Sequence, residues 1–167
     1  VLLAYPMMYL VEKLFNFNSD VTLFELSNIN KGVLRELSEV APGTFQHSIT
    51  VGNLAALIAN KIGANALLVR TGALYHDIGK LEAPVYFTEN QVGIDPHKNL
   101  TNTQSAQAIV GHIPRGVTLA EKYGLPQFIK DFILTHHGKG VAKYFYIMQQ
   151  NAHPDEVIDP EPFIYPG

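Results

Sequence analysis

The sequence predicts an all-α fold, a single helical bundle. Three observations predict it. Apolar residues recur at helical spacing along most of the chain. Alternating strand patterns are scarce. Gly, Pro and Thr punctuate the apolar stretches at intervals that suit helices of two to five turns.

In chain order, Leu23, Leu26, Ile29, Val33, Leu34 and Leu37 mark a helical stretch over 22–40, with a break near Asn30 to Gly32. Ala41-Pro42-Gly43 forms a turn, and Thr44 is the expected N-cap of a helix carrying Ile49, Leu54, Leu57, Ile58 and Ile62. Gly63 closes it. Asn65 opens a further helix, ALLVRTGALYHDI, with Gly79 as its stop. Residues 81–100 are rich in Pro, Gly and Asn and are expected to form a long loop, of the kind that shapes sites. Thr101 or Thr103 opens the next helix, which runs to His112, is kinked at Pro114 and continues to Tyr123. After Gly124-Leu125-Pro126, helices are expected over 127–137 and 141–150, and the tail from Asn151 is expected to be irregular.

Composition narrows the function. The 167 residues suit one domain, and 47% apolar content supports a real core. A formal net charge of -3 argues against long DNA or RNA as a partner. With no cysteine, thiolate nucleophiles, thiolate zinc sites and disulfides are excluded, so any metal must be held by histidine and carboxylate. Residues 1–20 are expected to be an N-terminal helix or the end of, or exit from, a transmembrane helix. The apolar run Val1 to Phe15 is too short to span a bilayer alone and lacks signal-peptide features. Residues 21–167 form the expected domain, with both ends reading as fragment boundaries.

Five of the seven histidines fall at helix ends or on apolar helix faces. His76-Asp77 closes a strongly apolar helix, where an ionisable pair must be partnered or metal-bound. His136-His137 precede Gly138, which permits a close approach. His47 shares a stripe with Val51 and Leu54, and His112 lies just before Pro114. Singly, each has an ordinary explanation as a buried, hydrogen-bonded or capping histidine. As a set they offer five imidazoles and a carboxylate from four helices. That donor set suits Fe, Mn, Zn, Co or Ni rather than Mg or Ca. Six donors exceed what one open metal site takes, whereas two ions about 4 Å apart use them well for attack at phosphorus. Lys80, three residues beyond Asp77, shares its face if the helical turn persists and can offset phosphate charge, as an alternative to a surface lysine after a glycine cap. Arg115 and Lys139 are further phosphate candidates. In the loop, Tyr86, Phe87, Asn90 and His97 either frame a base or ribose or serve packing.

The pattern His47, His76-Asp77, His112, His136-His137 resembles the HD superfamily of metal-dependent phosphohydrolases. The blocks APGTFQHS, GALYHDIGK, YFTENQ, DPHKNL and THHGK look more specifically like the HD domain of the PgpH-type seven-transmembrane phosphodiesterases. The resemblance covers essentially the whole chain. It implies an HD-domain helical bundle on the cytoplasmic face of the membrane, following a transmembrane region. It also implies hydrolysis of cyclic di-AMP to pApA with two iron or manganese ions. It implies that His47, His76 and Asp77 serve one metal, that Asp77 bridges, and that His112, His136 and His137 serve the other. His76, Asp77 and Lys80 carry the catalytic expectation, and Lys80, Tyr86, Asn90 and Arg115 the substrate-binding one. The family places a further aspartate ligand downstream of a Tyr-Pro-Gly segment, whereas this chain ends at Tyr165-Pro166-Gly167. Another HD nucleotide phosphohydrolase, a nucleotide-binding HD module without catalysis, and a helical interaction module remain as alternatives. A cyclic di-GMP enzyme is disfavoured by the lack of a Gly-Tyr-Pro motif.

Overall fold

The structure, a computed structural model, describes Met7, Val11, Glu12, Leu14 and residues 19–167. The expectation for the N-terminal apolar run falls largely outside these residues. No helix among the described residues is long and apolar enough to cross a membrane.

Eight α-helices account for most of residues 19–167: α1 (Asp20–Leu26), α2 (Gly32–Val40), α3 (Pro42–Lys61), α4 (Ala66–Tyr75), α5 (Asn102–Val110), α6 (His112–Lys122), α7 (Gln127–Thr135) and α8 (Lys143–Ala152). The only extended pairing among the described residues is an isolated bridge between Val141 and Ile164. The all-α expectation holds.

Local chemistry explains most boundaries. Asn65 caps α4 by accepting from the Leu68 amide, and Thr101 and Gln104 form a reciprocal capping box on α5. Thr101, not Thr103, is thus the opening residue. Two expected boundaries shift. Helix α3 starts at Pro42, not after Thr44, because proline suits the first helical position and leaves Thr44 buried in the first turn. The break expected at Pro114 lies instead at Gly111. Pro114 sits in the first turn of α6, where its missing N–H costs nothing. His112 therefore begins a helix rather than ending one.

The main core lies between α2, α4, α6 and α7, with Leu34, Leu37, Leu74, Ile78, Ile129 and Ile133 all fully buried. Full burial of such side chains contributes roughly 1.5–3 kcal/mol each. A smaller cluster joins Ala106, Ile113, Ala142, Phe163 and Tyr165. It draws the C-terminal tail back across the bundle, so the tail is ordered against α5 despite its irregular backbone.

Candidate metal centre

Four helix termini converge at the border of the two cores. Helix α4 ends at Tyr75, and the chain passes through His76 and Asp77 into a 3-10 turn, Ile78–Glu82. The expected α-helix to Gly79 thus tightens three residues early. Gly79 is not a helix stop but a contact point. A Cβ there would lie 1.8 Å from the His112 carbonyl oxygen, so only glycine lets this turn meet the start of α6. That contact brings His112 beside Asp77. Helix α7 delivers His136 at its C-cap and His137 beyond it, and Gly138 follows with φ 53. His47 comes from the second turn of α3.

The imidazoles are oriented alike. Nδ1 of His76, His112 and His136 lies 2.7, 2.6 and 2.8 Å from the carbonyl oxygens of Ala73, Ile109 and Ile133. A carbonyl only accepts, so each Nδ1 carries the proton and donates. In the neutral ring, Nε2 then keeps its lone pair. All three Nε2 atoms turn to Asp77: His76 Nε2 is 3.0 Å from Oδ2, and His112 and His136 Nε2 are 3.3 and 3.6 Å from Oδ1. His112 and His136 Nε2 are 3.3 Å apart. Asp77 is 2% exposed, and its Oδ1 is buried with no hydrogen-bond partner. Acceptor atoms facing one another around an orphaned carboxylate oxygen are an arrangement that a metal ion among them would satisfy.

Two groups of donor atoms could hold such an ion: His47, His76 and Asp77, and His112, His136 and His137. Within each, the donor atoms lie within 4.8 Å of one another. Both groups could therefore hold metal, and Asp77 Oδ1 also lies 3.3 and 3.6 Å from the His112 and His136 Nε2 atoms of the second. His47 and His137 are the exposed members. The His137 ring is held by stacking on Tyr165, with centroids 4.1 Å apart and planes 10° from parallel.

The electrostatics follow from crowding. Burial, followed by the neighbouring His136 and His112, depresses His137 to about 4. That keeps its ring neutral and available as a ligand. Lys80 Nζ lies 2.9 Å from Asp77 Oδ2 and 2.8 Å from Glu89 Oε1. Burial pulls its pKa down, yet the two carboxylates leave it raised.

The other candidates scatter. Tyr86 lines a cavity of about 770 Å³ that runs from His137 and Tyr165 past Phe87 and Glu89 to His97 and Phe145. Its carbonyl accepts from His97 Nε2. Asn90 is engaged by Thr44 at the start of α3. Arg115 points away: its Nη2 donates to the Ala108 carbonyl across the α5–α6 break, and it lines neither described cavity. Lys139 is exposed beyond α7. Sequence reasoning missed Glu89 and Tyr165. Glu89 lies inside the quoted YFTENQ block, and a charged residue there was the available signal.

A second cavity, about 420 Å³, opens on the other side of the centre between His47, His76 and His136, over Val51, Ala55, Val69 and Phe132. The centre thus has open space on both flanks.

Comparison with known proteins agrees with this arrangement. The HD domain family model matches residues 44–164. The cyclic-di-AMP phosphodiesterase PgpH of Listeria monocytogenes is 46% identical over 147 residues, covering 87% of this chain and 20% of that protein. PgpH of Bacillus subtilis is 40% identical over 154 residues, covering 92% and 21%. The chain thus spans about a fifth of the length of these relatives. A crystal structure of the L. monocytogenes PgpH HD domain in complex with cyclic-di-AMP superposes with a TM-score of 0.78 at 44% identity, over 84% of this chain and 65% of that one. The matched span contains all six of the converging residues, and the chain belongs to the HD domain family.

Proposed function

We propose that this chain is the catalytic domain of a metal-dependent phosphodiesterase acting on a cyclic dinucleotide, cyclic di-AMP, to give linear pApA. The observation that carries the reading is the pairing of two three-donor groups at Asp77 with a cavity of about 770 Å³ that reaches His137. The likeness to PgpH, and to its HD domain in complex with cyclic-di-AMP, supports the choice of substrate.

His47, His76 and Asp77 would hold one metal, and Asp77, His112, His136 and His137 the other. The donor set suits several transition metals, and iron or manganese is what the resemblance to the PgpH-type phosphodiesterases implies. When bound, such ions supply Lewis acidity and a water that is nucleophilic at neutral pH. The chain's own residues do the rest. Ala73, Ile109 and Ile133 fix the tautomer of three imidazoles, so no ring has to reorient during turnover. The Lys80 ammonium sits on Asp77 and offers positive charge to non-bridging phosphate oxygens. Tyr86, Phe87 and Phe145 give the cavity aromatic walls against which an adenine can stack. In the longer protein, this domain would lie on the cytoplasmic face of the membrane, joined to a transmembrane region outside this chain.

The test is a hydrolysis panel with Mn- or Fe-loaded protein against cyclic di-AMP, cyclic di-GMP and deoxynucleoside triphosphates, with products identified. Turnover of cyclic di-AMP to pApA is expected. Triphosphate hydrolysis without it would replace this reading with a nucleotidase.

A further inference from the structure

Helix α3 begins without a side-chain cap of its own, because Ala41 has nothing to offer. The missing partner comes from the loop 46 residues on: Asn90 Oδ1 accepts from the Thr44 amide at 3.1 Å. The Thr88–Asn90 turn lies directly on the helix start. A Cβ on Gly43 would fall 1.9 Å from the Glu89 carbonyl oxygen. Asn90 Nδ2 donates to Thr44 Oγ1 at 2.7 Å, so the hydroxyl proton is directed elsewhere, to Glu89 Oε1 at 2.9 Å. The same Glu89 oxygen accepts from Lys80 Nζ at 2.8 Å, and Lys80 donates to Asp77 Oδ2 at 2.9 Å.

These bonds form one directed chain, Asn90 to Thr44 to Glu89, meeting Lys80 and Asp77. It ties the turn that walls the cavity to the Asp77 carboxylate. It is also anchored one helical turn before His47. A lysine on a flexible four-carbon stem does not hold one position unaided. Two carboxylates on one ammonium, with the Phe87 ring 4.7 Å beneath it, remove that freedom.

We infer that Glu89 is a positioning residue, held by Thr44 and Asn90, that sets the Lys80 ammonium against Asp77 at the cavity wall. This rests on the proposed function for its catalytic consequence, though not for its structural one.

Two measurements test it. The first is a double-mutant cycle on hydrolysis of cyclic di-AMP by the manganese-loaded chain. Glu89→Ala should lower kcat about 10- to 100-fold, the range for partners that orient a reactive group from behind, with bound metal and KM little changed. Glu89→Gln, which still accepts both hydrogen bonds, should recover much of the loss. In a Lys80→Ala background, Glu89→Ala should cost no more than about two-fold, because its effect passes through the missing ammonium. Full additivity would overturn the inference. The second is independent of turnover. In the zinc-loaded chain, the 15N-resolved Lys80 ammonium resonance should persist in wild type and in Glu89→Gln and vanish by fast exchange in Glu89→Ala. Thr44→Val, which preserves shape, should weaken it in the same direction if Glu89→Ala folds poorly. An unchanged resonance in both Glu89→Ala and Thr44→Val would overturn the inference even if the hydrolysis assay failed. A chain that cleaves no cyclic dinucleotide would instead count against the functional reading alone.

Discussion

His112 Nε2 and His136 Nε2 face each other across 3.3 Å while their Nδ1 atoms donate to the carbonyls of Ile109 and Ile133. Neither ring has a proton to place between them in its neutral form, so a metal ion held by both would relieve the contact. His112→Ala should therefore lower bound metal from two ions per chain toward one. It should also lower hydrolysis by at least about 100-fold, the upper end of what losing even an outer orienting partner costs. Metal analysis beside the assay checks this. Two ions retained in the variant would show that the histidine pair does not ligate. Removal of metal by a chelator should also lower Tm, since folding alone leaves these lone pairs opposed.

The contact that places His112 beside Asp77 rests on Gly79. Its Cβ position lies 1.8 Å from the His112 carbonyl oxygen and 2.5 Å from the Gly116 nitrogen, both backbone atoms. Backbone in a core does not yield cheaply, so Gly79→Ala should destabilise the fold by about 3 kcal/mol or more. Gly116→Ala meets the buried Ile133 Cγ2 methyl at 2.8 Å but comes no nearer to backbone than 3.3 Å, at the Gly79 nitrogen, and should cost less, about 1–2 kcal/mol. Urea unfolding of the two variants gives the comparison. Equal costs would mean that the turn can slide away from α6.

How much of this was legible beforehand depends on range. Local signals worked. Asn65 and Thr101 cap the helices they were expected to open, and five histidines and one aspartate at helix ends do converge. The misplacements came from tertiary contacts that no local pattern reports. Thr44 looked like a cap because its neighbours permit one, yet its hydroxyl is committed to Glu89, 45 residues away. Arg115 looked like a phosphate ligand by proximity to His112, whereas its guanidinium bridges the break between α5 and α6. No periodicity reports that Phe163 and Tyr165 return to the centre, because burial of two aromatic residues in an irregular tail leaves no repeating pattern.

Tyr75 links α4 to α1 from the opposite side of His76. Its hydroxyl donates to the Leu26 carbonyl at 2.8 Å, and burial pushes its pKa up to about 12. The neutral phenol is thus favoured in the folded state. That stabilisation is fully present below the unfolded pKa near 10 and is lost as pH rises through 10 toward 12, where the unfolded chain ionises first. The loss amounts to about 3 kcal/mol for a shift of this size. Tyr75→Phe should cost about 1 kcal/mol at neutral pH through the unpaired carbonyl. It should also show a shallower fall in stability between pH 10 and 12 than wild type. Parallel curves would place the alkaline transition on other groups.

The His137 ring, the exposed member of its donor group, packs against the tail. Tyr165 stacks on it at 4.1 Å, and the Tyr165 amide donates to the Gly140 carbonyl at 2.9 Å, closing the turn that follows α7. Aromatic stacking of this kind contributes about 0.5–1.5 kcal/mol. Converted to affinity, that is a loss of roughly 2- to 13-fold for a metal held by His112, His136 and His137 when the ring is removed. Tyr165→Ala should show this loss in a competition titration with a chelator, with the His47, His76 and Asp77 group little affected. Tyr165→Phe keeps the stacked face and the backbone hydrogen bond, and should bind metal as wild type does. Equal weakening by both substitutions would assign the effect to the phenol oxygen, and no weakening by either would show that His137 holds its orientation without the tail.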